Sequence, residues 1–303
     1  LMSTAARPLV PAVAAAMDRI APLRLAAKWD NVGLLVGAAT ERPLGGSRVL
    51  VTNDLTEKVV AEAVAVEAHA IVSYHPTLFR GVKRVVGRDA QGRILLQCIS
   101  HNIAVYSPHT ALDSVAGGIN DWLVEAFTTD GKGEPIEPDE TEPGCGMGRV
   151  VELGEPLSVS EAIRRVKAHL GLDSLRVALP AGSFAEPTRE ALQAACEACQ
   201  VKRIGVCAGS GGSLLRSLRG GCDLFLTGEM SHHEVLAAAS QGTAVLLTEH
   251  SNSERGYLPR LAEKLRAELG AELAATAQEG ASDGAVEPQV VISRVDADPL
   301  FMM

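Results

Sequence analysis

Residues 48–75 have the sequence RVLVTNDLTEKVVAEAVAVEAHAIVSYH, and this stretch decides the fold class. Its two short apolar runs, Arg48–Thr52 and Ala70–Ser73, are typical of buried β-strands, and the residues 57–68 between them are predicted to form a helix. Two strands joined by a crossover helix run parallel, and a parallel sheet is covered by helices on both faces. We therefore expect an α/β fold with mostly parallel sheets.

The same alternation of strands and helices continues along the chain. In the first half it predicts a helix at 9–20, a helix at 89–100, a strand at 103–106 and a helix at 118–126. In the second half it predicts strands at 203–207, 223–227 and 243–248, with helices at 212–218, 232–240 and 253–269. The interval from Asp54 to His75 equals the interval from Cys207 to Gly228. These observations predict duplicated βαβαβ halves with helices packed on the sheets.

Changes in composition suggest where the domains end. Residues 131–148 are rich in Gly, Pro and acidic residues, so we expect a linker after an N-terminal α/β half at 1–130. Residues 149–202 are predicted to be a connecting segment, and residues 203–303 to form the C-terminal α/β half. Within that half, residues 271–287 are Ala- and Gly-rich and polar, and we expect them to be mobile.

The overall composition excludes several classes of function. The 303-residue chain has 28 Lys and Arg residues against 37 Asp and Glu residues, a net charge of -9. That charge disfavours electrostatic binding to nucleic acid or to an anionic membrane, and no apolar run is long enough to span a bilayer. Six cysteines in so long a chain do not form a dense disulfide framework, which favours a reducing compartment. We expect a cytoplasmic protein, with the nucleus and mitochondrion left open.

Side chains that commonly bind metals follow several of the predicted strands. His75 ends one strand, His109 and Asp113 follow another, and His250 and Glu254 follow a third. Functional groups collect where parallel strands end, and residues four apart on a helix lie on one face. Imidazoles together with carboxylates suit zinc, iron or manganese. The alternative is that each histidine is a hydrogen-bonded structural residue.

Two other motifs have both a functional and a structural interpretation. Gly209, Ser210 and Gly211 follow a strand and precede a helix, where backbone amides can bind a phosphate group. The alternative is a tight turn that permits close packing. In Ser231-His232-His233-Glu234 the histidines could face a pocket, or the segment could cap a helix N-terminus.

Several of these motifs together resemble the NIF-three-like family, whose members are also described as GTP cyclohydrolase I type 2 homologues. The matching segments are WDNVGLLVG (29–37), SYHPTLFR (73–80), SPHTALDSVAGGINDWL (107–123), CAGSGGSLL (207–215), TGEMSHHEVLAAASQG (227–242) and TEHSNSERGYLP (248–259). They extend over both halves of the chain. The SYHP and SHHE forms and the DADPL at 296–300 are most similar to the eukaryotic branch.

The resemblance implies a metal cleft between the halves and a ring-shaped homohexamer. The ligands it implies for one or two divalent ions are His75, Asp113, His250 and Glu254. Many bacterial members have two consecutive histidines where this chain has Tyr74-His75. One of the two ion positions is therefore expected to have fewer protein ligands and to bind more weakly. The larger members also contain an inserted domain, which we expect to be incomplete here.

The resemblance suggests two functions. The first is a metal-dependent hydrolase that acts on a nucleotide-like or phosphorylated substrate, with GTP ring opening as one such reaction. Proton transfer is then assigned to Glu229 or His233. Substrate binding is assigned to a larger set, namely Tyr74, His109, Gly209, Ser210, Gly211 and His232. The second is a non-enzymatic, metal-binding oligomeric scaffold that interacts with a transcriptional regulator.

Overall fold

The computed structural model describes residues 7–278 and 286–300. Its strands are β1 (Gly33–Val36), β2 (Arg48–Thr52), β3 (Ala70–Ser73), β4 (Ala104–Ser107), β5 (Glu137–Pro138), β6 (Gly146–Met147), β7 (Arg149–Ser158), β8 (Arg176–Ala178), β9 (Gln200–Ser210), β10 (Leu224–Glu229), β11 (Ala244–Leu247) and β12 (Gln289–Ile292). Its α-helices are α1 (Leu9–Ile20), α2 (Glu57–Ala65), α3 (Ala90–Ser100), α4 (His109–Ser114), α5 (Ile119–Val124), α6 (Val159–Leu170), α7 (Arg189–Ala198), α8 (Gly212–Leu215), α9 (His232–Ser240) and α10 (Leu258–Gln278). Short 3-10 helices lie at Leu23–Leu25, Arg216–Leu218, Ser251–Ser253 and Arg255–Tyr257. The chain divides into a first unit, Leu1–Leu112 with Tyr257–Ala297, and a second unit, Asp113–Gly256 with Asp298–Met303.

The first unit is built around a sheet with the strand order β1-β4-β3-β2-β12. Strands β4, β3, β2 and β12 run parallel, and β1 is the antiparallel edge. Strands β2, β3 and β4 are fully apolar along most of their length because helices cover them. Thr56 begins α2 by accepting a hydrogen bond from the amide of Val59, and α2 then packs Val59 and Val60 into the core against Leu50 and Ile71.

The second unit has a sheet with the strand order β7-β9-β10-β11-β8. Its three central strands β9, β10 and β11 are parallel, and β7 and β8 are antiparallel edges. Phe225 of β10 and Val245 of β11 are fully buried and pack with Leu215 and Ala238 from the covering helices. In both units, consecutive parallel strands therefore end at the same edge of a sheet, and that edge is where the predicted ligands lie.

The structure confirms the predicted α/β class with parallel sheets and helices. The helix predicted at 9–20 has the bounds Leu9–Ile20, and the strands predicted at Arg48–Thr52 and Ala70–Ser73 have those same bounds. The strand predicted at 203–207 is longer, Gln200–Ser210, because Gln200 and Val201 pair with β7 and Ser210 pairs with β10. The domain boundaries given above stay a prediction.

One expectation near the C-terminus is wrong. Residues 271–278 were expected to be mobile, but they form the last two turns of α10. Glu268 and Glu272 of this helix each lie 2.6 Å from the guanidinium of Arg19 on α1, so the polar residues fix the helix in place. Residues 279–285, which the same expectation covered, lie outside the described residues.

Two further observations concern the environment of the protein. Within the described residues, no helix combines the length and the apolar character that crossing a bilayer requires. All six cysteines are free thiols, and five of them are buried. The thiols agree with the expectation that the chain does not depend on disulfides.

Candidate metal-binding residues

His75 of the first unit is held by its backbone and by one ring nitrogen. The amides of Tyr74 and His75 donate to the carbonyl oxygens of Thr52 and Asn53, which extends the pairing of β2 and β3 past the strand ends. His75 Nδ1 then lies 2.9 Å from Asp54 Oδ1. A carboxylate only accepts, so Nδ1 is the protonated nitrogen, and Nε2 is the nitrogen with the metal-binding lone pair.

His109 has an orienting carboxylate of its own. Its Nδ1 lies 2.8 Å from each carboxylate oxygen of Asp30, and the amide of Thr110 donates to the same carboxylate. The Asp30 side chain is fully buried. Burial favours a higher pKa for Asp30, but the hydrogen bonds from His109 and Thr110 outweigh it and hold the pKa below its ordinary value. His109 is also one of the non-glycine residues with a positive φ, 29°, a strained conformation that is often found at functional sites.

Tyr74 packs against both of these histidines, whose own ring centres are 5.3 Å apart. It is 2 % exposed, and its ring centre is 4.8 Å from that of His75 and 5.4 Å from that of His109. Trp29 and Phe79 add an exposed aromatic edge beside His109, with ring centres 6.3 Å from the imidazole in both cases. In the first unit the structure thus brings the rings of Tyr74, His75 and His109 together.

His250 of the second unit lies between two carboxylates. Its Nδ1 is 2.9 Å from Glu229 Oε1, and its Nε2 is 3.2 Å from Glu254 Oε1. Glu254 is buried, whereas nearly half of the Glu229 side chain is exposed. Since β10 and β11 are parallel neighbours, their ends bring Glu229 and His250 together.

The turn that positions His250 and Glu254 is fixed from both sides. Before His250, Glu249 adopts a φ of 69° and forms an ion pair with Arg176 at 2.8 Å. After it, Ser253 Oγ donates to the carbonyl of His250 at 2.6 Å and accepts from the amide of Gly209 at 2.8 Å. The loop at the end of β9 is therefore attached directly to the His250 turn.

Gly209 is in contact with both candidate ligands because it has no side chain. Its φ is +60°, and a Cβ there would lie 2.6 Å from Glu254 Oε1 and 3.0 Å from His250 Nε2. The first distance is shorter than real Cβ contacts and the second is tight, so only glycine fits without displacing Glu254. The loop leaves space for the carboxylate and the imidazole at this point.

Asp113, at the end of α4, shares its surroundings with Glu254. Asp113 is 7 % exposed and Glu254 is 1 % exposed. Burial raises the pKa of the Cys207 thiol, and the nearby charges of Asp113 and Glu254 raise it further. Asn120 fixes this region, since it donates to the Asp113 carbonyl and accepts from the amide of Ala208. The second unit therefore concentrates two buried carboxylates around the end of β9.

In the loop that was predicted to bind phosphate, two backbone amides donate to side chains of the protein itself. The amide of Gly209 donates to Ser253 Oγ, and the amide of Gly211 donates to Thr227 Oγ1 at 3.0 Å. Ser210 between them is exposed. These bonds favour the tight-turn interpretation for the two glycine amides, and phosphate binding by this loop stays a prediction.

His232 and His233 lie in the first turn of α9, but other residues cap this helix. Ser231 Oγ accepts from the amide of Glu234, and the Glu234 side chain accepts from the amide of Ser231, which is a complete capping box. The bond from the Ser231 amide lowers the pKa of Glu234. The two imidazoles are exposed, with ring centres 5.4 Å apart.

The segments that build these arrangements match a known family over most of the chain. The model of the family Duf34/NIF3 (NGG1p interacting factor 3) matches residues 9–280. The chain belongs to the Duf34/NIF3 family. The resemblance inferred from the motifs is therefore confirmed.

Relatives within the Duf34/NIF3 family include proteins of animals and fungi. NIF3-like protein 1 of Drosophila melanogaster is 38 % identical, over 99 % of this chain and 91 % of its own length. NGG1-interacting factor 3 of Saccharomyces cerevisiae is 34 % identical, over 90 % of this chain and 89 % of its own length. The crystal structure of the Bacillus cereus protein related to NIF3 has a TM-score of 0.72 at 18 % identity, and it covers 99 % of this chain and all of that one. The last comparison shows that the fold is shared.

Sequence reasoning on this Duf34/NIF3 chain missed the carboxylates beside the histidines. Asp54 and Asp30 each bind the Nδ1 of an imidazole, but neither was chosen as a site residue. For Asp54 a signal was present, since Asp54 and His75 are 21 residues apart, the same separation as Glu229 and His250. Asp30 lies 79 residues before His109, and a pairing at that distance leaves no periodic pattern.

Proposed function

We propose that this Duf34/NIF3 protein binds one or two divalent metal ions through His75, Asp113, His250 and Glu254. Among the described residues, His75, His250 and Glu254 are a group that could hold a metal ion. The observation that supports the proposal most strongly is His250, whose Nδ1 is bound by one carboxylate while its Nε2 faces another. This is the arrangement in which a histidine is oriented for a metal ion.

The residues present fit such an ion. Imidazole nitrogens and carboxylate oxygens suit zinc, iron and manganese. The missing side chain at Gly209 leaves room beside His250 and Glu254. A divalent ion would also offset the negative charges of the buried Asp113 and Glu254 side chains.

Tyr74, which precedes His75, limits the number of protein ligands available to a second ion. The buried ring of Tyr74 packs against two imidazoles. A phenol stays neutral at pH 7, with an ordinary pKa of about 10, so Tyr74 is a poor ligand. We therefore propose one well-bound ion and a weaker second position.

For the reaction, we propose hydrolysis of a nucleotide-like or phosphorylated substrate, with GTP cyclohydrolase-like ring opening among the candidates. A bound divalent ion supplies a water whose pKa is lowered to about 7. Proton transfer is assigned to Glu229 or His233, both of which have exposed side chains. Tyr74, His109 and His232 are proposed to contact the substrate, together with the Gly209, Ser210 and Gly211 loop.

Turnover by metal-loaded protein tests the hydrolase proposal. Purified protein loaded with zinc, iron or manganese is incubated with a panel of nucleotides and phosphoesters, and the products are separated by chromatography. We expect turnover that His250→Ala and Glu254→Gln abolish and that the surface variant Glu57→Gln retains. Absence of turnover on the whole panel, although the metal is bound, would refute it.

A relative's name supports a second candidate function. The Saccharomyces cerevisiae relative is named NGG1-interacting factor 3. We propose as the alternative that this chain is a metal-binding homo-oligomer, a hexamer, that binds a transcriptional regulator in the cytoplasm or nucleus. Its six free thiols fit a reducing compartment. Light scattering on the eluting protein measures the mass, and a mass other than about six chains refutes the hexamer.

A further inference from the structure

We propose that Asp54 and Glu229 are a matched pair of positioning carboxylates, one in each unit, that turn the Nε2 atoms of His75 and His250 toward the metal. The inference rests on the proposed metal-binding function. It adds two residues that act through the histidines rather than on the ion.

The two pairs have the same local geometry. Asp54 Oδ1 lies 2.9 Å from His75 Nδ1, and Glu229 Oε1 lies 2.9 Å from His250 Nδ1. In both pairs the carboxylate comes first in the chain, and 21 residues separate it from its histidine. Neither contact is between neighbours on one helix, so helical spacing does not account for either of them.

The two pairs also occupy equivalent places in the two sheets. Strands β2 and β3 are parallel neighbours whose last aligned residues are Thr52 and Ser73. Strands β10 and β11 are parallel neighbours whose last aligned residues are Thr227 and Leu247. Asp54 comes two residues after Thr52, and Glu229 comes two residues after Thr227. The same device, a carboxylate at or just past the end of one strand and a histidine just past the end of the next, is therefore built twice.

The chemistry of imidazole explains what this device does. When a carboxylate accepts a hydrogen bond from Nδ1–H, the neutral ring is held in one tautomer and one orientation, and its Nε2 becomes a stronger ligand. In the second unit Nε2 of His250 faces the buried Glu254 at 3.2 Å, which is where a shared ion would have both as ligands. If Glu229 remains bound to His250, His233 is the proton carrier of the proposed hydrolysis.

Zinc affinity of single variants tests the inference. Zinc is titrated against metal-free full-length protein in competition with a chromophoric chelator. Loss of such an orienting partner typically weakens metal binding about 10- to 100-fold, and we expect this for Asp54→Ala and for Glu229→Ala. The conservative Asp54→Asn keeps an accepting oxygen, and its zinc affinity is expected to lie between those of the wild type and Asp54→Ala. The matched control is Glu57→Ala, which removes a surface carboxylate bonded to Arg93 at 2.7 Å and is expected to leave affinity unchanged.

A second readout does not depend on the metal. Nitrogen-15 NMR of the imidazoles in metal-free protein reports which ring nitrogen carries the proton. We expect both His75 and His250 to carry a proton on Nδ1, and each to lose the hydrogen bond made by that proton only in the variant of its own carboxylate. Wild-type zinc affinity and tautomers that persist in Asp54→Ala and Glu229→Ala would overturn the inference. Wild-type protein that binds no metal would instead refute the proposed function, while the tautomers would still test the pairing.

Discussion

Replacing Gly209 by alanine adds one methyl group at the point where the β9 loop meets two candidate ligands. The backbone at Gly209 has a φ of +60°, and the new Cβ would lie 2.6 Å from Glu254 Oε1 and 3.0 Å from His250 Nε2. Glu254 is buried, so its carboxylate can shift only against packed neighbours. The substitution therefore strains the backbone and displaces the ligands together.

The size of the effect follows from two contributions. A left-handed conformation costs an L-residue about 1–2 kcal/mol. Forcing a methyl group into a packed site costs about 1–3 kcal/mol more. Gly171 separates the two contributions, because it has a φ of +67° in the same unit but nothing within 4 Å of its Cβ position. Gly171→Ala is thus expected to show the backbone contribution alone.

Urea unfolding and zinc titration measure the two consequences. We expect Gly209→Ala to be less stable than Gly171→Ala by about 1–3 kcal/mol. We also expect its zinc affinity to fall at least about tenfold, since misplaced ligands lose metal affinity, while Gly171→Ala binds as the wild type does. Equal stability and equal zinc affinity in the two variants would refute the reasoning that places Gly209 against the ligands.

Three more predictions concern capping, pH and packing. Ser231→Ala removes the acceptor that caps α9 and should cost about 1 kcal/mol in urea unfolding; an unchanged midpoint would contradict this. Hydrogen bonds from Arg164 and then Arg165 lower the pKa of Glu161 from 4.5 to about 2. Its stabilisation is therefore complete above pH 4.5 and lost as the pH falls toward 2, and melting temperatures of Glu161→Gln should lack that part of the acid decline seen in the wild type. Phe225→Ala should cost about 3–5 kcal/mol because Phe225 is fully buried, whereas the exposed Leu236→Ala should change stability by less than about 0.5 kcal/mol.

Much of the fold could be predicted because local pattern and final structure agree. The central strands β2, β3, β10 and β11 are short apolar runs between helices, and parallel sheets covered on both faces require such runs. The cap of α6 is equally local, since Ser158 Oγ accepts from the amide of Glu161 three residues later. These features depend on residues close together in the chain.

The features that could not be predicted depend on distant residues. Residues 271–278 have the Ala-rich, polar composition of a mobile segment. Glu272 is nevertheless ordered by Arg19, which lies on a helix near the other end of the chain. Strand β12 pairs with β2 across more than half the sequence, with Val290 opposite Val49. Single-sequence patterns contain no information about which distant elements meet.

The candidate site also contains residues that could be predicted from the sequence and residues that could not. His75 and His250 were identifiable because each ends an apolar strand, and strand ends are where functional groups collect. Asp54 and Asp30 were missed because each binds a histidine side chain. A search for metal ligands does not select residues with that role. Only the structure shows that each lies within hydrogen-bonding distance of an imidazole.

The central claim is that His75, His250 and Glu254 bind the same ion. An anomalous-scattering map at the zinc absorption edge, from crystals of zinc-loaded protein, tests it most directly. The account predicts a peak about 2.0–2.2 Å from an imidazole nitrogen of both His75 and His250 and from a carboxylate oxygen of Glu254. A map with no peak beside these side chains, or with zinc bound to only one of the two histidines, would contradict it.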